Sequence, residues 1–159
     1  MLNTKVMTAF AALALFSACS SSSDNAATGA GAATTTSAGP RPGSQEDLVA
    51  NVGDRVFFDT DESSIRGDQR PVLERQAAWL ARYPQVTVQV EGHADERGTR
   101  EYNLALGQRR ANAARDVLVA NGAAGARIAT ISYGKDRPAA LGSTEDAWAQ
   151  NRRAVTVVR

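Results

Sequence analysis

The chain has 159 residues, with 18 Lys+Arg against 17 Asp+Glu and a formal net charge of +1. That balance supplies no global basic field for nucleic acid, and the length allows one compact domain with extensions. One cysteine, Cys19, and one histidine, His93, leave too few ligands for a metal site of the usual kinds.

Lys5 gives a short basic start, and residues 6–16 are apolar over a length that suits a signal peptide better than a membrane span. Phe16-Ser17-Ala18-Cys19 then resembles a lipobox, in which the cysteine thiol takes a diacylglycerol and the chain is cut before it. Phe16 departs from that pattern, where leucine is usual. The alternative is an ordinary cleaved signal with Cys19 incidental, although a secreted chain seldom keeps one free thiol. Several acyl chains on Cys19 would anchor the protein firmly. Ser20 and Ser21 follow, with no aspartate in the retention position, so by resemblance to bacterial lipoproteins the expected location is the outer membrane, with the domain in the periplasm. Losing Lys5 with the signal would balance the charges.

After Cys19 the chain is rich in Ser, Ala, Thr and Gly, with Pro40 and Pro42. Such a composition buries too little apolar surface to fold and reads as a tether. About 26 residues of this kind span roughly 30 Å on average and stretch to roughly 85–90 Å. The expected organisation is a signal at 1–18, lipidated Cys19 and tether at 19–46, and one domain at 47–159.

Within the domain, residues 55–58 read as a strand. Asp68 is placed as an N-cap, with Pro71 in the first turn of a helix that runs to Tyr83 and buries Val72, Trp79, Leu80 and Tyr83. Residues 86–91 alternate Val86, Val88 and Val90 as a second strand. A long helix follows over about residues 100–120 and stops at Asn121-Gly122. Residues 127–133 form a third strand closed by Gly134, and a short helix at 145–151 leads to a last strand at 154–158. The order β-α-β-α-β-α-β implies a sheet with helices packed on one face, α+β or α/β.

The chemistry concentrates between the second strand and the long helix. Glu91-Gly92-His93-Ala94-Asp95-Glu96-Arg97-Gly98 is a glycine turn packed with charge. The helix carries an apolar stripe of Leu106, Ala113, Val117 and Asn121, and Arg110 falls on it. A guanidinium there needs an acceptor, and Asp95 is the expected neighbour. Asp95 with Arg110 suits a small zwitterion, one holding an ammonium and the other gripping a carboxylate through its planar fork. A structural Asp95–Arg110 salt bridge, or an Arg110 that snorkels to water, fits the same residues. Catalysis through Glu91, Asp95 or Glu96 is the rival class, but adjacent arginines would hold those acids ionised. Trp79 and Trp148 read as core or rim packing. Arg152 and Arg153 read as bracing the last turn and the sheet edge, with one able to touch a pocket rim.

Over residues 55–159 the sequence resembles the OmpA-like peptidoglycan-binding domain, in the version carried by peptidoglycan-associated lipoproteins. The resemblance rests on the 91–111 run, on Val56-Phe57-Phe58-Asp59-Thr60-Asp61, on Ser132-Tyr133-Gly134 and on Asn151-Arg152-Arg153-Ala154-Val155. It implies the α+β form of the fold (an α/β sandwich) with a mixed sheet. It also implies a non-enzymatic pocket, without cofactor, for the diaminopimelate of the peptidoglycan stem peptide. By position, Asp95 and Arg110 would be its paired acid and base. Asp61, with Phe58 and Thr60, would line the facing wall, and Arg97, Thr99, Asn103 and Leu106 would complete it. The family often has Phe where Thr60 stands. The resemblance also implies TolB and the Tol–Pal envelope system as partners, with TolB and the cell wall competing for one groove. The role it implies is a tie between outer membrane and wall in envelope integrity and division.

Overall fold

The computed structural model describes residues 39–159; the expected signal, Cys19 and most of the tether lie outside the described residues. The elements run α1 (Gln45–Asn51), β1 (Arg55–Phe57), α2 (Arg70–Arg82), β2 (Val88–His93), α3 (Arg100–Ala120), a 3-10 turn (Gly125–Arg127), β3 (Ile128–Gly134), α4 (Glu145–Asn151) and β4 (Arg153–Val158). The strands form one mixed sheet in the order β1-β4-β2-β3. β2 and β3 are parallel, as the α3 crossover between them requires, and β4 is antiparallel to both β1 and β2.

Strand alternation divides the sheet. Val56, Val88, Val90, Ile128 and Ala154 share one core with Leu73, Ala77 and Leu80 of α2 and with Ala111, Ala114 and Leu118 of α3. Gln89 and Glu91 alternate with the two valines and so point to the other face. Gly92 of β2 and Gly107 of α3 set the spacing between helix and sheet. A Cβ on Gly92 would stand 1.8 Å from the Gly107 carbonyl oxygen, so only glycine permits this approach.

Several expectations change in detail. α1 was not anticipated: Ser44 caps it by accepting from the Asp47 N–H at 3.3 Å. Gln45 ties α1 to the sheet by accepting from Val158 N at 2.7 Å, so the folded domain starts before residue 47. Asp68 is not the α2 cap. Gln69 holds that position without a side-chain capping bond, and Arg66 takes both Asp68 oxygens at 2.9 Å. The buried stripe of α2 is Leu73, Gln76, Ala77 and Leu80 with Trp79, while Val72 and Tyr83 are half-buried. Gln76 belongs there because its amide is satisfied at both ends, donating to Gly53 O at 2.7 Å and accepting from Thr156 Oγ1 at 2.8 Å. On α3 the buried stripe is Asn103, Gly107, Arg110, Ala111, Ala114 and Leu118, with Leu106 beside it; Asn121 is exposed. β2 begins at Val88 rather than Val86 and continues to His93.

Candidate functional site

The β2 chain leaves the sheet at His93, and Ala94 donates to Gly134 O at 2.8 Å, which aims the next residues at the sheet end. Asp95 turns inward and is buried. Its carboxylate accepts three bonds from Arg97: from the backbone N–H at 3.1 Å, from Nε at 3.2 Å and from Nη2 at 2.6 Å. The loop is held on all sides. Asn103 Nδ2 donates to Arg97 O at 2.7 Å, and Lys135 Nζ donates to Glu96 O at 3.1 Å and Gly98 O at 2.7 Å. Gly98 adopts φ +84°, and Thr99 then caps α3 by accepting from Tyr102 N at 3.2 Å.

Arg97 is the hub of the exposed side. Its guanidinium lies 4.2 Å from the centre of the Trp148 ring, and Nη2 reaches Thr60 Oγ1 at 3.4 Å. Trp148 in turn donates from Nε1 to Glu96 at 3.1 Å. Burial pushes the Asp95 carboxyl up, but the side-chain and backbone hydrogen bonds of Arg97 outweigh it and hold Asp95 below the ordinary aspartate value. Asp95 is therefore a fixed anion at neutral pH.

Arg110 does not pair with Asp95, nor does it snorkel to water. It is 0% exposed and donates to three backbone carbonyls: from Nε to Glu62 at 2.8 Å, from Nη1 to His93 at 2.9 Å and from Nη2 to Asp59 at 3.0 Å. The guanidinium also stacks over Phe58 at 5.1 Å. Arg110 thus pins the β1–α2 loop onto the end of β2. Burial lowers its pKa to about 10, against the raising field of Asp95, so it stays cationic at neutral pH. Guanidinium has five N–H donors, so among the described residues one on each terminal nitrogen lacks a protein acceptor.

The pinned loop carries the remaining expected wall. Thr60 and Asp61 are exposed on it, Asp61 in the left-handed region at φ 56°, while Phe58 is buried beneath. Asn103 and Leu106 are both 2% exposed, so they support the site from within α3 and do not line its surface. Thr99 acts through the helix cap.

One further cation completes the cluster. Arg152 is buried, donates from Nε to Phe58 O at 3.1 Å and from Nη2 to Glu145 at 2.5 Å, and places Nη1 3.5 Å from Asp95 Oδ2. Nη1 is buried without a hydrogen-bond partner, a donor capacity left unused beside the acid. Trp148 and Arg152 were expected only as packing and bracing residues at the rim, and Glu96 only as a rival catalytic acid. Trp148 and Arg152 come from a distant segment, and the Asn151-Arg152-Arg153 run at the end of α4 was its main sign. Arg152 also borders a cleft of about 320 Å³ with Phe57, Gln69 and Gln150 along its wall.

A mixed four-stranded sheet with a charged, ligand-sized cluster at the end of β2 defines the class, and the OmpA family model matches residues 57–152. The chain belongs to the OmpA family, in its peptidoglycan-associated lipoprotein branch. It is 61% identical over 130 residues to the peptidoglycan-associated lipoprotein of Rhizobium meliloti (strain 1021), covering 82% of this chain and 70% of that one. The relative of the same name from Mesorhizobium japonicum is 55% identical over 159 residues, covering 96% and 90%. The crystal structure of the peptidoglycan-associated lipoprotein from Burkholderia pseudomallei superposes with a TM-score of 0.67 at 41% identity, covering 71% of this chain and 100% of that one. The C-terminal domain of Helicobacter pylori MotB shares the fold, with a TM-score of 0.63 at 23% identity, over 67% of this chain and 84% of that one.

Proposed function

We propose that this domain binds peptidoglycan without covalent chemistry, through the diaminopimelate of the stem peptide. The observation that carries the reading is the cluster at Asp95: one fixed anion beside arginines with unused donors. The diaminopimelate ammonium is taken by Asp95. Its carboxylate is taken by the free terminal N–H groups of Arg110, with Arg152 Nη1 as a further donor within the same cluster. Arg110 is covered, so the ligand reaches it by displacing the Asp59 and Glu62 carbonyls of the β1–α2 loop. Arg97, Thr60 and Asp61 form the exposed rim. A stem peptide with lysine in place of diaminopimelate lacks that carboxylate. Each charge-assisted hydrogen bond contributes roughly 1.5–3 kcal/mol, so lysine-type wall should bind roughly ten- to a hundredfold more weakly.

The same geometry favours binding over catalysis. Asp95 is held ionised and makes a poor general acid. The hydrogen bonds of Ser143 and Trp148 lower the pKa of Glu96, and Glu91 faces away from the helices, its Oε2 3.9 Å from His93 Nε2. No helix among the described residues is long and apolar enough to cross a membrane. In this reading Cys19 carries the lipid, residues up to Pro42 are the tether, and the molecule ties the outer membrane to the wall from the periplasmic side. Membership of the Tol–Pal system is part of the reading: TolB would use the same charged end and compete with the wall, linking the protein to envelope constriction in division.

Sedimentation with isolated diaminopimelate-type sacculi tests the core of this reading. Residues 39–159 should pellet with the sacculi, and Asp95→Asn should stay in the supernatant while keeping its circular dichroism spectrum. Equal pelleting of the two would remove Asp95 from the site.

A further inference from the structure

We propose that the end of the domain remote from Asp95 is a docking surface for an anionic phospholipid membrane, with Arg75 and Arg82 as its phosphate-binding cations; this rests on the lipid-anchored reading above. α1 and α2 leave a cleft of about 400 Å³, floored by Trp79 and Tyr83, whose rings meet edge-on at 5.1 Å. Arg75, Ala78 and Arg82 line it at spacings of three and four, which places them on one stripe of α2. Both arginines are exposed, and among the described residues neither forms a salt bridge, whereas Arg55, Arg66, Arg97 and Arg100 all do. Asp47 also lines the cleft, but it is buried and its carboxylate accepts from Trp79 Nε1 at 2.9 Å, Asn51 Nδ2 at 2.7 Å and Gly43 N at 2.9 Å, with no ion pair to either arginine. Two exposed cations therefore face one buried anion. The exposed acids of these helices, Glu46 and Glu74, are absent from the lining.

The position of the cleft selects the partner. Gly43 packs against Tyr83, where an added Cβ would stand 3.3 Å from the ring, so the chain coming from Cys19 enters the domain here. β2 runs from this end to the Asp95 end, a distance of about 20 Å at the usual rise per residue. The Asp95 end is charge-balanced and offers a negative surface little attraction: Asp59 pairs with Arg66 and Glu145 with Arg152, while Arg97 stands beside Asp61 and Lys135 beside Glu96. The tethered end presents two uncommitted guanidiniums, which the same surface attracts. Weak attraction suffices, because the tether holds the domain at high effective concentration over the membrane. In that docked state the Asp95 cluster points away from the lipid.

The test couples the chain from Cys19 onward through its thiol to maleimide lipid in vesicles. Energy transfer from Trp79 to a dansyl lipid is measured with Trp148→Phe as background. Transfer should rise when phosphatidylglycerol replaces part of the phosphatidylcholine, and fall back in high salt. Arg75→Gln with Arg82→Gln should return it to the neutral-vesicle level, and Arg109→Gln, an exposed residue of α3, should leave it high. Equal transfer with and without the two arginines, or no dependence on anionic lipid, would overturn the proposal. Binding of inorganic phosphate by the same arginines with no response to vesicle charge would also overturn it, in favour of a free-phosphate site. Stem-peptide titration of the double variant with Trp148 in place should match that of the native chain. A chain that docks on vesicles yet ignores the peptide would count against the wall-binding reading alone.

Discussion

Replacing Arg110 with methionine removes the one side chain that joins the β1–α2 loop, the end of β2 and the middle of α3. Three carbonyls, of Asp59, Glu62 and His93, lose their donor at once. Hydrogen bonds to a charged group contribute roughly 1.5–3 kcal/mol each, about 4.5–9 kcal/mol for the set. The surroundings of the guanidinium, burial first, oppose this: the net lowering of its pKa from 12.5 to about 10 corresponds to an offset of about 3 kcal/mol. The difference is about 1–6 kcal/mol. A value near 3 kcal/mol is expected, because Asp59 and Glu62 lie in an exposed loop where water can replace the guanidinium. The assay is urea unfolding of residues 39–159, followed by circular dichroism. With a slope of about 1.5 kcal/mol/M, the midpoint should fall by about 2 M without a change in slope. A loss below about 0.5 kcal/mol, the range of ordinary surface substitutions, would refute the pinning role. Arg110 would then be present for its ligand alone.

Gly107→Ala should destabilise the domain by about 1–3 kcal/mol despite the gain of about 1 kcal/mol in helix propensity, since its Cβ would stand 2.3 Å from Ser132 Oγ and 2.8 Å from Gly92 O. A raised thermal midpoint would show that α3 can lift from the sheet at little cost. Burial, and then the charge of Arg153, push His93 from 6.5 to about 4. A depressed histidine contributes stability that is full above pH 6.5 and is lost as pH falls through 4, up to about 3 kcal/mol. Urea midpoints across that window should drop in the native chain and flatten in His93→Gln; parallel curves would assign the acid loss elsewhere. Trp148→Ala removes the face on which Arg97 rests, a contact of about 0.5–1 kcal/mol at an exposed site. Stem-peptide affinity should weaken two- to fivefold by calorimetry, with urea stability little changed, and unaltered affinity would leave Trp148 outside the rim.

The elements with strong local signals were legible in the sequence. The amphipathic run and the Asn121-Gly122 stop marked α3, which spans Arg100–Ala120 as expected, while its Thr99 cap was not read. The alternation of strands and helices followed from the same punctuation, whereas the mixed sheet was implied by the family resemblance and the strand order β1-β4-β2-β3 was not read. α1 was hidden because Pro40, Pro42 and Gly43 precede it and it gives only Leu48 to the core; Ser44 and Asp47 were its sole signal. The α2 stripe was misplaced because Gln76 interrupts the apolar pattern, and only its bonds to Gly53 and Thr156 explain its burial. At the site, periodicity put Arg110 on the buried side of α3. Its acceptors could not be read, since they are backbone atoms 17, 48 and 51 residues away. Arg152 and Trp148 reach Asp95 and Arg97 only because β4 lies between β1 and β2 in the sheet.

The central claim is that one carboxylate of the ligand meets one buried cation cluster. Calorimetric titration of residues 39–159 with a diaminopimelate stem peptide and with its lysine counterpart addresses it directly, with Asp95→Asn and Arg152→Gln run beside the native chain. Saturable binding of the first peptide is expected, with the second weaker by roughly ten- to a hundredfold and binding lost in Asp95→Asn. Equal affinity for the two peptides, or undiminished binding by Asp95→Asn, would contradict it.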